Sequence, residues 1–524
     1  MASSEHQSVT VLKSVFSRLA DHEIWLLVVI VPLLIRSGRY LKVGLVLLLL
    51  PWLLRLLAHG RLSVRTPLDW PLGLILIWLP VNVWASADKT LTWPALAQLL
   101  AGLTVFWSVV NWVRSEQQAE LAAWGLTLLG LELALLAPVG VRWPGSELPF
   151  LARVYGYFPL LLDDPINPNV MAGALVQLMP LAGALILPGT GRHRSRLARW
   201  GLSLLAAVAL LLMGFIVVLT QSQGAYIALA AALLALAVLR SRWFLLIVPV
   251  TAAGAWAAWR WTGALPLLDL LLAMPGESTW VWRQEVWSQT LHAVQDFAVT
   301  GIGLGTFPRV MPLRYPHPCF AVGSNAAVPH AHNLFLQVAV DLGLPGLIAY
   351  LALLVGCFWM VWRVYKSQIS NRKSQINNPQ SAIINPQSLA AGLWGSLVVL
   401  VVHGLTDAMA WSSKPAIIPW AVFGLTAALY RLSGDVEGRG KAGEESKAET
   451  GRRSVRSRLG DFPLTLVYWI LFSLLAIGFI GNWPYVGLAI ALAGGAVLGF
   501  FSVMSLEPRR YVGRAQQKPG GEEA

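Results

Sequence analysis

The chain has 524 residues, of which 56% are hydrophobic and only 12% charged, with a mean hydropathy of +0.61. That composition excludes a water-soluble domain of this length, and two cysteines exclude a disulfide framework. The formal net charge of +13 is dispersed over short connections between apolar runs, which excludes a nucleic-acid-binding face.

The first apolar run follows a polar stretch with Glu5, Asp21 and Glu23 and has no small-residue cleavage pattern. It therefore reads as a membrane helix rather than a signal peptide. Hydropathy places spans near 23–38, 41–58, 69–86, 93–113, 119–138, 166–188, 200–220, 223–240, 243–261, 333–363, 389–410, 415–432, 463–481 and 485–504. Runs this long and uniformly apolar suit helices, because the bilayer core offers the backbone no water. The expected fold is an all-α, polytopic transmembrane helical bundle of about 12–14 spans.

Basic residues gather at Arg192–Arg199, Arg240–Arg242, Arg363–Lys373, Arg452–Arg458 and Arg509–Arg510. Placing these in the cytoplasm puts both termini inside. Arg36, Arg39 and Lys42 then lie outside, against the rule, and the second span carries Pro51 and Arg55. The expected organisation is N-terminal helices over 1–138, central helices over 139–261, a large extracytoplasmic loop over 262–332 and C-terminal core helices over 333–432. A charged linker over 433–461 and a helix pair with a basic tail over 462–524 follow. The stretch 366–388 contains Lys-Ser-Gln-Ile and Asn-Pro-Gln-Ser twice each and reads as a flexible low-complexity loop. The linker is charged and Gly-rich and reads as disordered. Trp256, Trp259, Trp261, Trp280, Trp282 and Trp287 suit the headgroup level.

Four polar constellations interrupt this apolar pattern. The first is His330-Ala331-His332-Asn333, followed by Gly343 and Gly346 in a long apolar run. It puts a titratable imidazole at the mouth of a membrane helix, where a use is expected; a capping role with packing glycines is the plainer reading. The second is Trp282-Arg283-x-x-x-Trp287 leading into Gly301-x-Gly303-x-Gly305-x-Phe307. No strand precedes these glycines, so a dinucleotide site is excluded. The third is Arg153-x-x-Gly156 followed by Asn167-Pro168-Asn169, which is also an ordinary helix-start signal. The fourth is Gln221-Ser222-Gln223-Gly224 between two spans.

These motifs, in their order along the chain, resemble the O-antigen ligase family of polytopic membrane glycosyltransferases. The resemblance covers roughly residues 150–410. Relatives commonly carry Ser-Arg-Gly where this chain has Ser222-Gln223-Gly224, so Gln223 brings a hydrogen-bonding group without charge. The resemblance implies a GT-C-like bundle in the bacterial cytoplasmic (inner) membrane with its active site facing outward. It implies a donor glycan on undecaprenyl pyrophosphate, a lipid, glycan or protein acceptor, membrane lipids as surroundings, no cofactor, and inversion at the anomeric carbon without a metal. In that frame His332 and Asn333 are the catalytic candidates. Arg283, Arg153, Arg309, Arg314, Gln223, His330 and Asp407 are the substrate-binding candidates, with arginines favoured because planar forked donors suit phosphate oxygens.

His332 qualifies as a base if its pKa stays near the ordinary value of about 6.5. His403 and Asp407 stand four apart on one expected helix face. Glu132 and Gln177 are candidates for interhelical hydrogen bonding. His317, Cys319, His330 and His332 hint at a metal, but their spacing fits no common site and no carboxylate lies among them in sequence. Polysaccharide polymerase and protein O-oligosaccharyltransferase share the same motifs. A lipid-linked-glycan transporter or flippase and a structural or sensory membrane protein are the readings from other classes.

Overall fold

The computed structural model describes residues 39–60, 63–143, 149–160, 165–186, 196–262, 280–320, 328–374, 386–412 and 414–445, with a few positions before residue 39. The expected spans at 463–481 and 485–504, and nearly all of 23–38, lie outside the described residues. The described part is helical: α1 (Arg39–His59), α2 (Asp69–Ala85), α3 (Lys89–Trp112), α4 (Glu116–Gly140), α5 (Pro149–Gly156), α6 (Pro168–Ile186), α7 (Arg196–Thr220) and α8 (Gln223–Arg240). A 3-10 turn at Arg242–Leu246 leads into α9 (Ile247–Thr262), followed by α10 (Trp280–Asp296), α11 (Phe307–Arg314) and a second 3-10 turn (Pro318–Phe320). The last helices are α12 (Leu334–Ser374), α13 (Pro386–Gly404), α14 (Met409–Ser412) and α15 (Ile417–Glu445). Among the described residues nine helices are long and apolar enough to cross a membrane. The one β-type pairing among them is a parallel bridge between Val141 and Ile166, which closes the loop over 139–165.

Short polar side chains set where several helices begin. The Asp88 carboxylate accepts from the Thr90 N–H (2.9 Å) at the start of α3, and Ser115 Oγ accepts from the Gln118 N–H (3.2 Å) at the start of α4. At the start of α6, Asn167 Oδ1 accepts from the Asn169 N–H (2.8 Å), the structural use of the Asn-Pro-Asn motif.

Helix α12 is the axis of the fold, its apolar stretch almost wholly buried. Helices α2, α10, α13 and α15 pack around it, while α6 joins α7, α13 and α4 beside it. By contrast, the described side chains of α9 are nearly all exposed.

Near one end α12 is broken. Gly343 adopts φ 72°, ψ −177°, and Pro345 follows. Pro345 has no N–H to give the Asp341 carbonyl, so that acceptor needs another donor in a place without water. Asn82 of α2 supplies it through Nδ2 (2.6 Å), and Trp78 Nε1 donates to the next carbonyl, Leu342 (2.9 Å). The loop after α10 locks into the same break: the Leu344 N–H donates to Ala298 O and the Ile302 N–H to Val340 O, each at 2.8 Å. A Cβ on Gly343 would lie 2.2 Å from Val299 O, and one on Gly301 2.3 Å from Asp341 O, so both glycines are required by close backbone approach. The two glycine motifs of the sequence are thus two halves of one joint, a larger role than helix thinning.

Three expectations are corrected. The stretch from residue 366 continues α12 to Ser374 instead of beginning a loop; Lys366 lies back over the Trp362 ring (4.7 Å), which lets the charge leave the apolar span without ending the helix. Likewise α15 runs to Glu445, into the segment expected to be disordered. Glu132 is exposed on α4 rather than bonded between helices.

Candidate functional site

The four constellations meet at one end of the bundle, where α12 begins and α13 ends. The Asn333 carboxamide caps α12: Oδ1 accepts from the Phe335 and Leu336 N–H groups, each at 3.0 Å, and Nδ2 donates to Leu405 O (3.1 Å). It joins the start of α12 to the end of α13.

His332, just before that cap, has φ 47°, a left-handed conformation that a non-glycine residue adopts at a cost of about 1–2 kcal/mol. Its N–H donates to His330 Nδ1 (3.2 Å), so the neutral His330 ring carries its hydrogen on Nε2. The two imidazoles lie 4.3 Å apart by centroid, and Trp282 of α10 meets the His332 ring edge-on at 5.2 Å. Trp287 Nε1 donates to His332 O (3.3 Å). Two tryptophans expected at the headgroups therefore line the site, because a buried indole N–H needs an acceptor and the loop carbonyls provide one. Trp256, Trp259 and Trp261 on α9 do remain exposed.

Asp407 completes the cluster. Helix α13 ends at Gly404, and one further turn carries Asp407, whose N–H donates to His403 O (3.0 Å), so the two residues four apart remain neighbours. One ligating atom each from His330, His332 and Asp407 lie within 4.8 Å of one another. Small residues allow this convergence: a Cβ on Gly173 of α6 would meet His403 at 2.6 Å, and one on Gly224 of α8 would meet Thr406 at 2.3 Å. Between α6 and α13 a small cavity is lined by Gly173, Gln177, His403, Asp407 and Met409. Neither amide atom of the buried Gln177 has a hydrogen-bond partner among the described residues.

The electrostatics follow from burial. Burial pushes the His332 imidazole down to about 3, helped by the neighbouring His330 and opposed by Asp407. The expectation of an ordinary imidazole fails for that reason. His330 is lowered by the same desolvation. Burial works to raise Asp407, but His330, His403, His332 and the Met409 N–H (2.8 Å) outweigh it and hold the carboxyl below its usual range. Burial lowers the Arg283 guanidinium, and the charge of Asp407 opposes that shift, so Arg283 belongs to the same electrostatic cluster. The buried Nδ1 of His332 has no hydrogen-bond partner among the described residues.

The other arginines are distributed differently. Arg309 pairs with Asp88 (3.2 Å), and Arg314 lies over the Phe297 ring (5.8 Å). Arg153 is exposed on α5. That helix docks through Tyr155, whose hydroxyl donates to Leu219 O (2.6 Å) and accepts from Gln221 Nε2 (2.7 Å). Gln221 is the other non-glycine residue with positive φ (53°) among the described residues, and half-buried Gln223 begins α8 just after it.

Several supporting residues escaped the sequence reading. Gln337 accepts from the Ala331 N–H (2.7 Å), between the two histidines, and donates to Asp341 (3.0 Å), whose other oxygen accepts from Trp411 Nε1 (3.1 Å). Asn82, Gln337 and Asp341 were visible as polar residues inside apolar runs, a signal that marks interhelical bonding. Their partners were not visible.

Two sets of residues have donor chemistry suited to a cation. His330, His332 and Asp407 form one, and Glu285, His317 and Cys319 the other. The four residues that hinted at a metal in sequence are split between them, and each set gains a carboxylate from a distant segment.

No curated protein matches the chain. Residues 208–351 match the family model described as O-Antigen ligase, a little over a quarter of the chain, running from α7 through the joint in α12. That match includes Arg283, both glycine motifs, His332 and Asn333, and leaves Arg153, His403 and Asp407 outside it. The similarity to the O-antigen ligase family that the motifs carry is thereby borne out, and with it a multi-pass membrane protein with a glycosyltransferase-like part in polysaccharide assembly.

Proposed function

We propose that the chain transfers a glycan from a polyprenyl pyrophosphate to an acceptor hydroxyl, with His332 as the base. The observation that carries this reading is the convergence of His332, His330 and Asp407 with Arg283 at one bundle end. The basic residues Arg240, Arg363, Lys366 and Arg431 lie toward the opposite end, so keeping them in the cytoplasm turns the cluster outward.

In this reading the donor pyrophosphate lies beside Arg283. The acceptor oxygen attacks the anomeric carbon from the opposite face, the carbon–oxygen bond to the pyrophosphate breaks, and polyprenyl pyrophosphate leaves with the electron pair. Single displacement of this kind inverts the anomeric carbon. Arg283 stabilises the charge gained by the leaving group without solvent reorganisation and without a divalent ion. The hydroxyl proton passes to His332. Before the donor arrives, burial keeps that imidazole a weak base. The incoming phosphates and the ionised Asp407 both favour imidazolium, so basicity rises when the donor is in place. Coupling of this kind suppresses proton abstraction at an empty site. Asn333, Gln223 and the arginines Arg153, Arg309 and Arg314 are the further candidates for sugar or phosphate contact. Acceptor choice among lipid, glycan and protein rests with the outer loop.

The test is an in vitro transfer assay with the purified full-length protein, a polyprenyl-pyrophosphate-linked glycan and membrane acceptor fractions. Wild type is expected to release polyprenyl pyrophosphate and glycosylate an acceptor without added Mg2+ or Mn2+, and His332→Ala is expected to be inactive though membrane-inserted. Wild-type transfer by His332→Ala, or a folded wild type that binds donor but turns over no acceptor, would overturn the reading; the latter favours a transporter.

A further inference from the structure

Trp282, whose ring meets His332, also donates to Cys319 O, and Cys319 belongs to the second set of donors. Glu285 is one turn along α10 from Trp282, while His317 and Cys319 flank Pro318 in the 3-10 turn that packs on α10. A carboxylate oxygen, an imidazole nitrogen and a thiol sulfur lie within 4.8 Å of one another. We propose that Glu285, His317 and Cys319 bind a divalent cation of borderline softness, zinc in the first instance, which fastens the 3-10 turn to α10.

The donor set fits that ion. Zinc takes Cys, His and Glu at bond lengths of about 2.0–2.3 Å, and a tetrahedral arrangement then needs donors about 3.3–3.8 Å apart. Closing from 4.8 Å is an adjustment of side-chain rotamers on one helix and one adjacent turn. The thiol selects against Mg2+ and Ca2+, which prefer oxygen alone. The Cys319 N–H contact to His317 Nδ1, at 3.3 Å, is long and is readily exchanged for a metal bond.

Charge makes the same case. Cys319 is buried, and its thiol lies beside the Glu285 carboxylate and the His317 imidazole. Among the described residues no basic side chain forms an ion pair with Glu285. A dication binds by replacing the thiol proton: the S–H bond breaks, a sulfur–metal bond forms, and one proton goes to solvent. The thiolate and the carboxylate then neutralise the ion. Three protein ligands leave a fourth position for water.

Fastening this turn has a consequence for the neighbouring cluster. Trp282 Nε1 donates to Cys319 O (3.1 Å) while its ring meets His332. A cation on Cys319 therefore holds the acceptor that orients Trp282. It touches no reacting atom and does not depend on the transfer reading.

The test uses full-length protein in detergent, stripped with a chelator and titrated with Zn2+ against a chromophoric indicator. One tight equivalent is expected, with release of one proton. Affinity should fall by at least about a hundredfold in Cys319→Ser and in Glu285→Gln, and be unchanged in His330→Ala. Co2+ added to the stripped wild type should give a near-ultraviolet thiolate-to-cobalt charge-transfer band, a readout that needs no variant to fold. Absence of binding, absence of that band, binding that survives Cys319→Ser, or binding lost in His330→Ala would each overturn the proposal; the last assigns the ion to the His330, His332 and Asp407 set.

Discussion

Two trios of titratable side chains each have a member in contact with Trp282, and their environments differ. His330, His332 and Asp407 come from two loops at helix ends and are fixed by the capped start of α12, the turn after α13 and an arginine from α10. Glu285, His317 and Cys319 come from one helix and the short turn on it. The first trio carries an ionised carboxylate among neutral imidazoles and an arginine, which suits a developing charge and a moving proton. The second gathers a carboxylate, an imidazole and a thiol, a donor set that suits a bound cation. Residues two apart in sequence can share a local donor set, but a proton-transfer cluster needs opposed charges that only separate helices bring together.

The comparison breaks most easily at His332. His332→Ala should lower transfer by roughly 10²–10⁴-fold, the range of a lost general base, with zinc binding intact. Steady-state release of polyprenyl pyrophosphate checks the first part and the indicator titration the second. Gly343→Ala should strike the joint that positions the first trio. Its Cβ meets Val299 O at 2.2 Å in a left-handed backbone, and the expected loss is about 2–4 kcal/mol of stability, read by thermal unfolding in detergent. An unchanged melting curve would mean that the joint relaxes freely.

Arg283→Lys keeps the charge and loses the fork. Transfer should fall roughly ten- to hundredfold, the worth of one charge-assisted hydrogen bond, and a variant as fast as wild type would move the phosphate contact to another arginine. The smallest effect concerns pH. His332 in the folded protein is pushed from 6.5 to about 3, so the donor-free site does not take up its proton near neutrality. The acid limb of kcat/KM should therefore be absent near pH 6.5, with less than about a twofold change between pH 6 and 8. The sign for stability is the reverse of a salt-bridged histidine. The unfolded chain binds this proton below pH 6.5 and the folded one does not until about pH 3, so stability falls as pH drops through that window. Melting temperatures across pH 4–8, with His332→Gln beside wild type, check the slope.

Much of the site was legible as motifs. The His-Asn pair, the Arg-x-x-x-Trp segment and the glycine runs were all recognisable, and each lies where the bundle converges. Helix existence was legible for the same reason that it is obligatory: an apolar run of membrane length has no other way to satisfy its backbone. Helix ends were less so. Lys366 and Ser433 read as loop residues by polarity, yet both continue helices, because a charge can fold back over an aromatic ring and a hydroxyl can bond the preceding turn.

An apolar, many-helix membrane chain, its family resemblance and the residue types of its chemistry are all readable along the chain. Those follow from local composition and spacing. Which polar residues meet is set by the packing of the folded bundle. It broke α12 at Gly343, gave the orphaned Asp341 carbonyl to Asn82, and drew Asp407 across to His332. It also parted His317 and Cys319 from His330 and His332. The physical reason is that hydrogen bonding inside a membrane must be satisfied by whichever helix lies alongside, and adjacency of helices is written in packing across the whole bundle rather than in any one segment.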